Sequence, residues 1–131
     1  MTPIFVNTIV FVKDLECAKT FYTDVLGQKI LEDFGTITFF ENHLVLHQAQ
    51  SITKTVFKKE SSEAAREQGK RNLLIYFESD EMENMFARVS ESGAQIIHGI
   101  ERQAWGQTVF RFFDPDGHIV EIGEPMHTKT E

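Results

Sequence analysis

Gln107-Thr108-Val109-Phe110-Arg111-Phe112-Phe113-Asp114-Pro115-Asp116-Gly117-His118-Ile119-Val120-Glu121-Ile122-Gly123-Glu124-Pro125 sets two aromatic and β-branched runs on either side of Asp-Pro-Asp-Gly. Proline pre-sets φ for a turn and glycine supplies φ > 0, so the stretch predicts a β-hairpin. Placing Asp114 opposite Gly117 pairs Phe112 with Ile119 and Phe110 with Glu121. Side chains alternate along a strand, so Ile119 and Glu121 share one face while Val120 and Ile122 take the other. Glu121 then stands mid-strand among aromatics. A carboxylate there must be paired, protonated, bound to a metal or turned to water at an edge.

Working outward, Gln95 to Ile100 reads as a further strand. Met82, Met85, Phe86 and Val89 recur at helical spacing behind a cap at Ser79 or Asp80, and Gly93 stops that helix. Residues 72 to 79 form the strand before it. The same order occurs earlier in the chain. Ile4 to Val12 is a strand candidate, and Asp14 caps a helix carrying Leu15, Ala18, Phe21 and Leu26, which Gly27 ends. Lys29 to Phe34, Thr36 to Glu41 and His43 to Gln48 are short strands, the last carrying His43, Val45 and His47 on one face. Asn7 and Asn72 open the two halves 65 residues apart (72 − 7). A βαβββ unit repeated at that period in 131 residues is an internal duplication. The predicted modules cover about 3–49 and 72–125. Residues 50–71, the most polar part of the chain, read as a linker, with a short helix over Ser61 to Gln68.

The length suits one domain of two small modules. Hydrophobic residues make up 41%, ordinary for a globular chain, and the formal net charge is −7. An acidic balance argues against nucleic acid or an anionic membrane as partner and leaves small molecules open. Cys17 is the only cysteine, so no intrachain disulfide is expected, and its place in the first helix suits packing. No secretory leader or long apolar run is evident, so a cytoplasmic location is expected. His43 and His118, beside turns, are expected at the surface. His98 has no placed partner, and His127 lies in a polar tail.

Three stretches resemble the vicinal oxygen chelate superfamily, which includes glyoxalase I, bleomycin and fosfomycin resistance proteins and extradiol dioxygenases. One is Val10-Phe11-Val12-Lys13-Asp14-Leu15-Glu16 with Phe21-Tyr22-Thr23-Asp24-Val25-Leu26-Gly27. The second is Ala104-Trp105-Gly106-Gln107, and the third is Asp114 to Glu121. The resemblance spans the whole chain. It implies an α+β fold in which two βαβββ modules curl mixed sheets around a cleft, usually as a homodimer. In metal-binding members the first and last strands of each module supply ligands. The matching positions here are Asn7, His47, Asn72 and Glu121. Glu121 keeps the family's carboxylate. His47 stands where a carboxylate is usual, and both asparagines depart from the usual His or Gln.

Imidazole and carboxylate suit Zn, Ni, Mn or Fe, whereas an amide oxygen is a weak donor. Two functional expectations follow from the resemblance. One is a lyase of lactoylglutathione lyase type, with His47 and Glu121 holding one divalent metal and Glu121 as catalytic base. The other is a metal-free binding module. It would sequester an aromatic or cationic compound using Asn7, Asn72, Phe39, Trp105, Phe110 and Phe112. Fosfomycin-type thiol transfer is a weaker option, and extradiol cleavage weaker still, since no histidine stands at 7 or 72.

Overall fold

A computed structural model describes residues 1–60, 62, 66 and 68–126. The chain divides into two compact units, Met1–Gln68 and Gly69–Glu131. Each holds a four-stranded mixed sheet in which a parallel pair is followed by two antiparallel steps.

In the first unit the strands are β1 (Ile9–Val12), β2 (Ile30–Asp33), β3 (Ile37–Phe40) and β4 (Val45–Gln48), in the order β1-β4-β3-β2. Asp14 caps helix α1 (Leu15–Thr20) as its sequence predicts, its carboxylate accepting from Cys17 N at 3.1 Å. The helix runs on as a π-turn over Phe21–Val25. Lys19 ties it to β2 through Asp33 (2.6 Å), and that hydrogen bond holds the Asp33 carboxyl below its ordinary range. Val10, Val12, Thr38, Phe40 and Leu46 are buried with Leu15, Ala18, Phe21 and Tyr22 of the helix, and the Tyr22 and Phe40 rings lie 6.3 Å apart. Fully burying each Val, Leu or Phe side chain among them contributes roughly 1.5–3 kcal/mol.

The second unit repeats the plan with β5 (Leu74–Glu78), α3 (Met82–Glu91), β6 (Ile96–Arg102), β7 (Thr108–Phe113) and β8 (Ile119–Gly123), ordered β5-β8-β7-β6. Phe110, Phe112, Val120 and Ile122 are buried on one face, and Phe86 of α3 packs edge-on against Phe110 at 5.2 Å.

Four expectations need correction. First, the hairpin register is shifted by one residue: Phe113 faces Ile119, Phe112 faces Val120, Arg111 faces Glu121 and Phe110 faces Ile122. Asp114 N donates to the His118 carbonyl, not to Gly117. Gly117, at φ 88, supplies one extra turn residue, as in a three-residue hairpin loop ending in a bulge. Second, His118 is buried, not at the surface. Its backbone N–H and that of Asp116 both donate to Asp114 Oδ1 at 2.9 Å, which draws the turn inward.

Third, the opening strands are shorter than their composition suggests. Asn7 and Asn72 each lie two residues before β1 and β5, and Ile4, Phe5 and Val6 are exposed. Fourth, the polar stretch after β4 begins with a helix, α2 (Ala49–Phe57), whose N-cap is Gln48. Ala49, Ile52 and Val56 give it an apolar spacing of three and four that the surrounding polar residues masked. The helix expected over Ser61 to Gln68 rests largely on residues outside those described, as does His127. Among the described residues no helix is long and apolar enough to cross a membrane.

Candidate functional site

In the second unit one face of the sheet packs on α3 and the other does not. The helix-free face of the second unit carries a row of four side chains, one from each strand. Tyr76 on β5 is registered with Glu121 on β8, Glu121 with Arg111 on β7, and Arg111 with His98 on β6. Strands lie about 4.8 Å apart, so adjacent members of the row are in side-chain reach.

The row is bonded through Arg111. Its Nε donates to Glu121 Oε1 at 2.8 Å, Nη1 to His98 Nε2 at 3.0 Å and Nη2 to Gln103 Oε1 at 3.3 Å. A guanidinium has no lone pair to offer, so His98 Nε2 must be the acceptor. His98 Nδ1 then carries the proton and meets the Gly99 carbonyl at 2.8 Å. Glu121 is 7% exposed. Its counter-charge comes from the neighbouring strand, where the one-residue shift in register puts Arg111.

A second network adjoins the row at Tyr76. The buried Gln107 amide donates from Nε2 to Tyr76 Oη at 2.7 Å and to the Glu124 carbonyl at 2.8 Å. Its Oε1 accepts from the Trp105 indole at 2.8 Å. Tyr76 in turn donates to Glu78 Oε2 at 2.7 Å. Burial, followed by that contact with Glu78, pushes the Tyr76 phenol above its ordinary range. Both polar ends are fixed, while the rings stay open to solvent, Trp105 at 58% and Tyr76 at 42% exposure. Gly123 makes room for this hub, since a Cβ there would overlap Gln107 Nε2.

The corresponding row in the first unit is apolar apart from His47. Phe11, 65 residues before Tyr76 (76 − 11), is registered with His47, and His47 with Ile37. Phe39 lies on that same face, registered with Val45. His47 therefore occupies the place in its sheet that Glu121 occupies in the other, but with Phe11 and Ile37 beside it in place of a tyrosine and an arginine.

The remaining candidates stand elsewhere. Phe110 and Phe112 lie on the helix-packed face, opposite Glu121, where they stack at 5.8 Å as core. The register correction removes them from the ligand-facing set. Asn7 and Asn72 precede their strands. Arg111, His98, Gln107 and Tyr76 were not singled out as site residues. Arg111 was legible only through the register, and Gln107 only through its position after Trp105-Gly106. A separate recess of about 540 Å³ in the second unit, lined by Asp80, Glu81, Met82, Glu83, Asn84, Glu124 and Pro125, shares no residue with the row.

A divalent metal does not fit this donor set at Glu121. A guanidinium already holds the carboxylate at 2.8 Å, and a second cation there would be repelled. Among the described residues no three His, Cys, Asp or Glu side chains are grouped to hold an ion.

Comparison with known proteins agrees with the architecture. A family model described as a glyoxalase-like domain matches residues 5–127. A curated protein, the metallothiol transferase FosB of Lysinibacillus sphaericus, is 27% identical over 132 residues, covering 99% of this chain and 86% of that protein. A crystal structure of a protein of unknown function from Agrobacterium tumefaciens is 44% identical, with a TM-score of 0.88 over 96% of this chain and 97% of that one. The lactoylglutathione lyase from Agrobacterium tumefaciens is 25% identical, with a TM-score of 0.69 over 95% of each chain.

Proposed function

This chain belongs to the family of glyoxalase-like domains, and within it we propose a small-molecule-binding protein that works without a metal at Glu121. The observation that carries this reading is the Arg111–Glu121 pair, which satisfies inside the sheet the carboxylate that metal chemistry would need free. The ligand rests on the helix-free face of the second sheet. Trp105 and Tyr76 offer it flat, rigidly tethered rings, and little rotamer freedom is left to lose on binding. Phe39 and His47 hold the equivalent face of the first sheet, and Asn7 and Asn72, each two residues before the opening strand of its unit, are the proposed amide donors. Sequestration of a small aromatic compound is the activity this supports.

The competing reading is a divalent-metal enzyme, a lyase of lactoylglutathione lyase type or a thiol transferase, with His47 and Glu121 as ligands and Glu121 as base. The equivalent register of His47 and Glu121 and the names of two relatives favour it. It requires Arg111 to release Glu121.

Metal analysis of tag-free protein separates the two. Under the binding reading, wild type and Glu121→Gln carry the same background metal, while flat aromatic compounds quench the single tryptophan. Gly123→Ala, which displaces the Gln107 amide, should then weaken that binding roughly tenfold through loss of preorganisation. Stoichiometric metal that falls in Glu121→Gln would establish the enzyme reading instead.

We also propose a cytoplasmic homodimer. β1 and β5 are edge strands, and Ile9, Leu31, Phe34, Leu73 and Leu74 are exposed. Light scattering should give twice the chain mass at micromolar concentration, and a monomer at high micromolar concentration would refute the dimer.

A further inference from the structure

We infer that the row Tyr76–Glu121–Arg111–His98 takes a flat aromatic carboxylate, with Arg111 as the group that recognises the acid. This inference rests on the binding function proposed above and names its ligand class. A guanidinium has five N–H groups. Among the described residues Arg111 commits three: one each to Glu121, His98 and Gln103. One N–H on each terminal nitrogen remains, and the side chain is 24% exposed, so a ligand can reach it. The terminal nitrogens of a planar guanidinium can present paired donors to the two oxygens of a carboxylate.

The three committed bonds do a second job. They fix the guanidinium plane from three sides, which an isolated surface arginine lacks, so its fork is set before a ligand arrives. Glu121 is on this account a positioning residue: it orients Arg111 and need not touch the ligand. It also selects the ligand's charge. The pair is already neutral, so a monoanion gains its charge-assisted hydrogen bonds locally while the Glu121 carboxylate offsets part of the guanidinium's attraction. A dianion such as a phosphate would face Glu121 with only one cation between them.

The aromatic half follows from spacing. Tyr76 stands two strands from Arg111 in the same row, roughly 10 Å away by strand separation. That is the length of a bicyclic aromatic acid. Such a ligand could engage Arg111 at one end and lie against the exposed Tyr76 ring at the other, with Trp105 joined to the same hub.

Calorimetric titration of the full chain with naphthalene-2-carboxylate and with naphthalene-2-carboxamide tests this. The two differ in charge and not in shape. Wild type should bind the acid at least roughly tenfold more tightly than the amide, the increment expected of a charge-assisted bidentate contact. Arg111→Lys, checked for folding by circular dichroism, should lose most of that preference because an ammonium cannot reproduce the fork. Equal affinity for acid and amide would overturn the role of Arg111 and leave the aromatic face standing. No binding of either compound at millimolar concentration would overturn both this inference and the binding function beneath it. The acid-to-amide ratio on wild type decides the matter even if Arg111→Lys fails to fold.

Discussion

Exchange of Arg111 for methionine is expected to destabilise the second unit by about 2–3 kcal/mol, below the ~3–5 kcal/mol typical of breaking a fully buried pair because Arg111 is itself partly exposed. The loss has a specific origin. Glu121 has 9% of its side chain exposed, and the Arg111 guanidinium donates to it at 2.8 Å. Removing that partner strands a carboxylate away from water, and the desolvation it suffered on folding is no longer offset. Exchanging both residues, as Arg111→Met with Glu121→Leu, should restore most of the stability, since apolar groups of similar volume need no counter-charge. The sign of the coupling is therefore the test. In urea denaturation the double variant should be more stable than Arg111→Met alone, and the cycle should show a coupling above about 1 kcal/mol. Arg111→Met melting like wild type would mean that Glu121 is satisfied by something else, and the metal reading would regain its carboxylate.

The Arg111–Glu121 pair is set by cross-strand register, which local sequence does not determine. The duplication was legible: the period of 65 residues recurs in the register as Phe11 opposite His47 and Tyr76 opposite Glu121. The helix start at Asp14 was legible because a cap is a local hydrogen bond. Glu121 was recognisable as an expensive residue because the alternation placing it among aromatics is local as well. Its partner was not. Asp114-Pro115-Asp116-Gly117 fits hairpin loops of more than one length, and the choice between them slides every cross-strand pair by one residue. One slip exchanges Phe110 for Arg111 opposite Glu121. It turns an apparently unpaired acid into an ion pair and two supposed ligand aromatics into core.

The opening strands failed for a different reason. Ile4, Phe5 and Val6 have strand propensity, but β4 offers β1 only Val45–Gln48 to pair with. Propensity without a neighbouring strand builds no ladder.

Gly69→Ala is expected to be the most damaging substitution outside the apolar core, costing about 3 kcal/mol or more. Composition assigns Gly69 to a solvated linker, where an added methyl would be harmless. The structure instead presses Gly69 against the hairpin turn: its N–H donates to the Asp116 carbonyl at 3.0 Å, and a Cβ would overlap the carbonyl oxygen, carbon and Cα of Gly117. The obstacle is backbone, which cannot swing aside as a side chain does. Nor can the turn yield cheaply. Gly117 N donates to the Asp114 carbonyl at 2.9 Å, Asp114 Oδ1 holds two further N–H groups, and Asp114, Asp116 and His118 are all buried. Moving the turn would break several of these bonds at once and disturb the register that sets Arg111 against Glu121. Gly93→Ala is the control. Gly93 also has positive φ, but nothing lies within 4 Å of an added Cβ, so its expected loss is only about 1 kcal/mol of backbone strain. Urea midpoints of the two variants should therefore separate clearly, with Gly69→Ala the lower. If Gly69→Ala is no less stable than Gly93→Ala, the contact between Gly69 and the turn does not form, and residues 68–71 are the free linker that their composition describes.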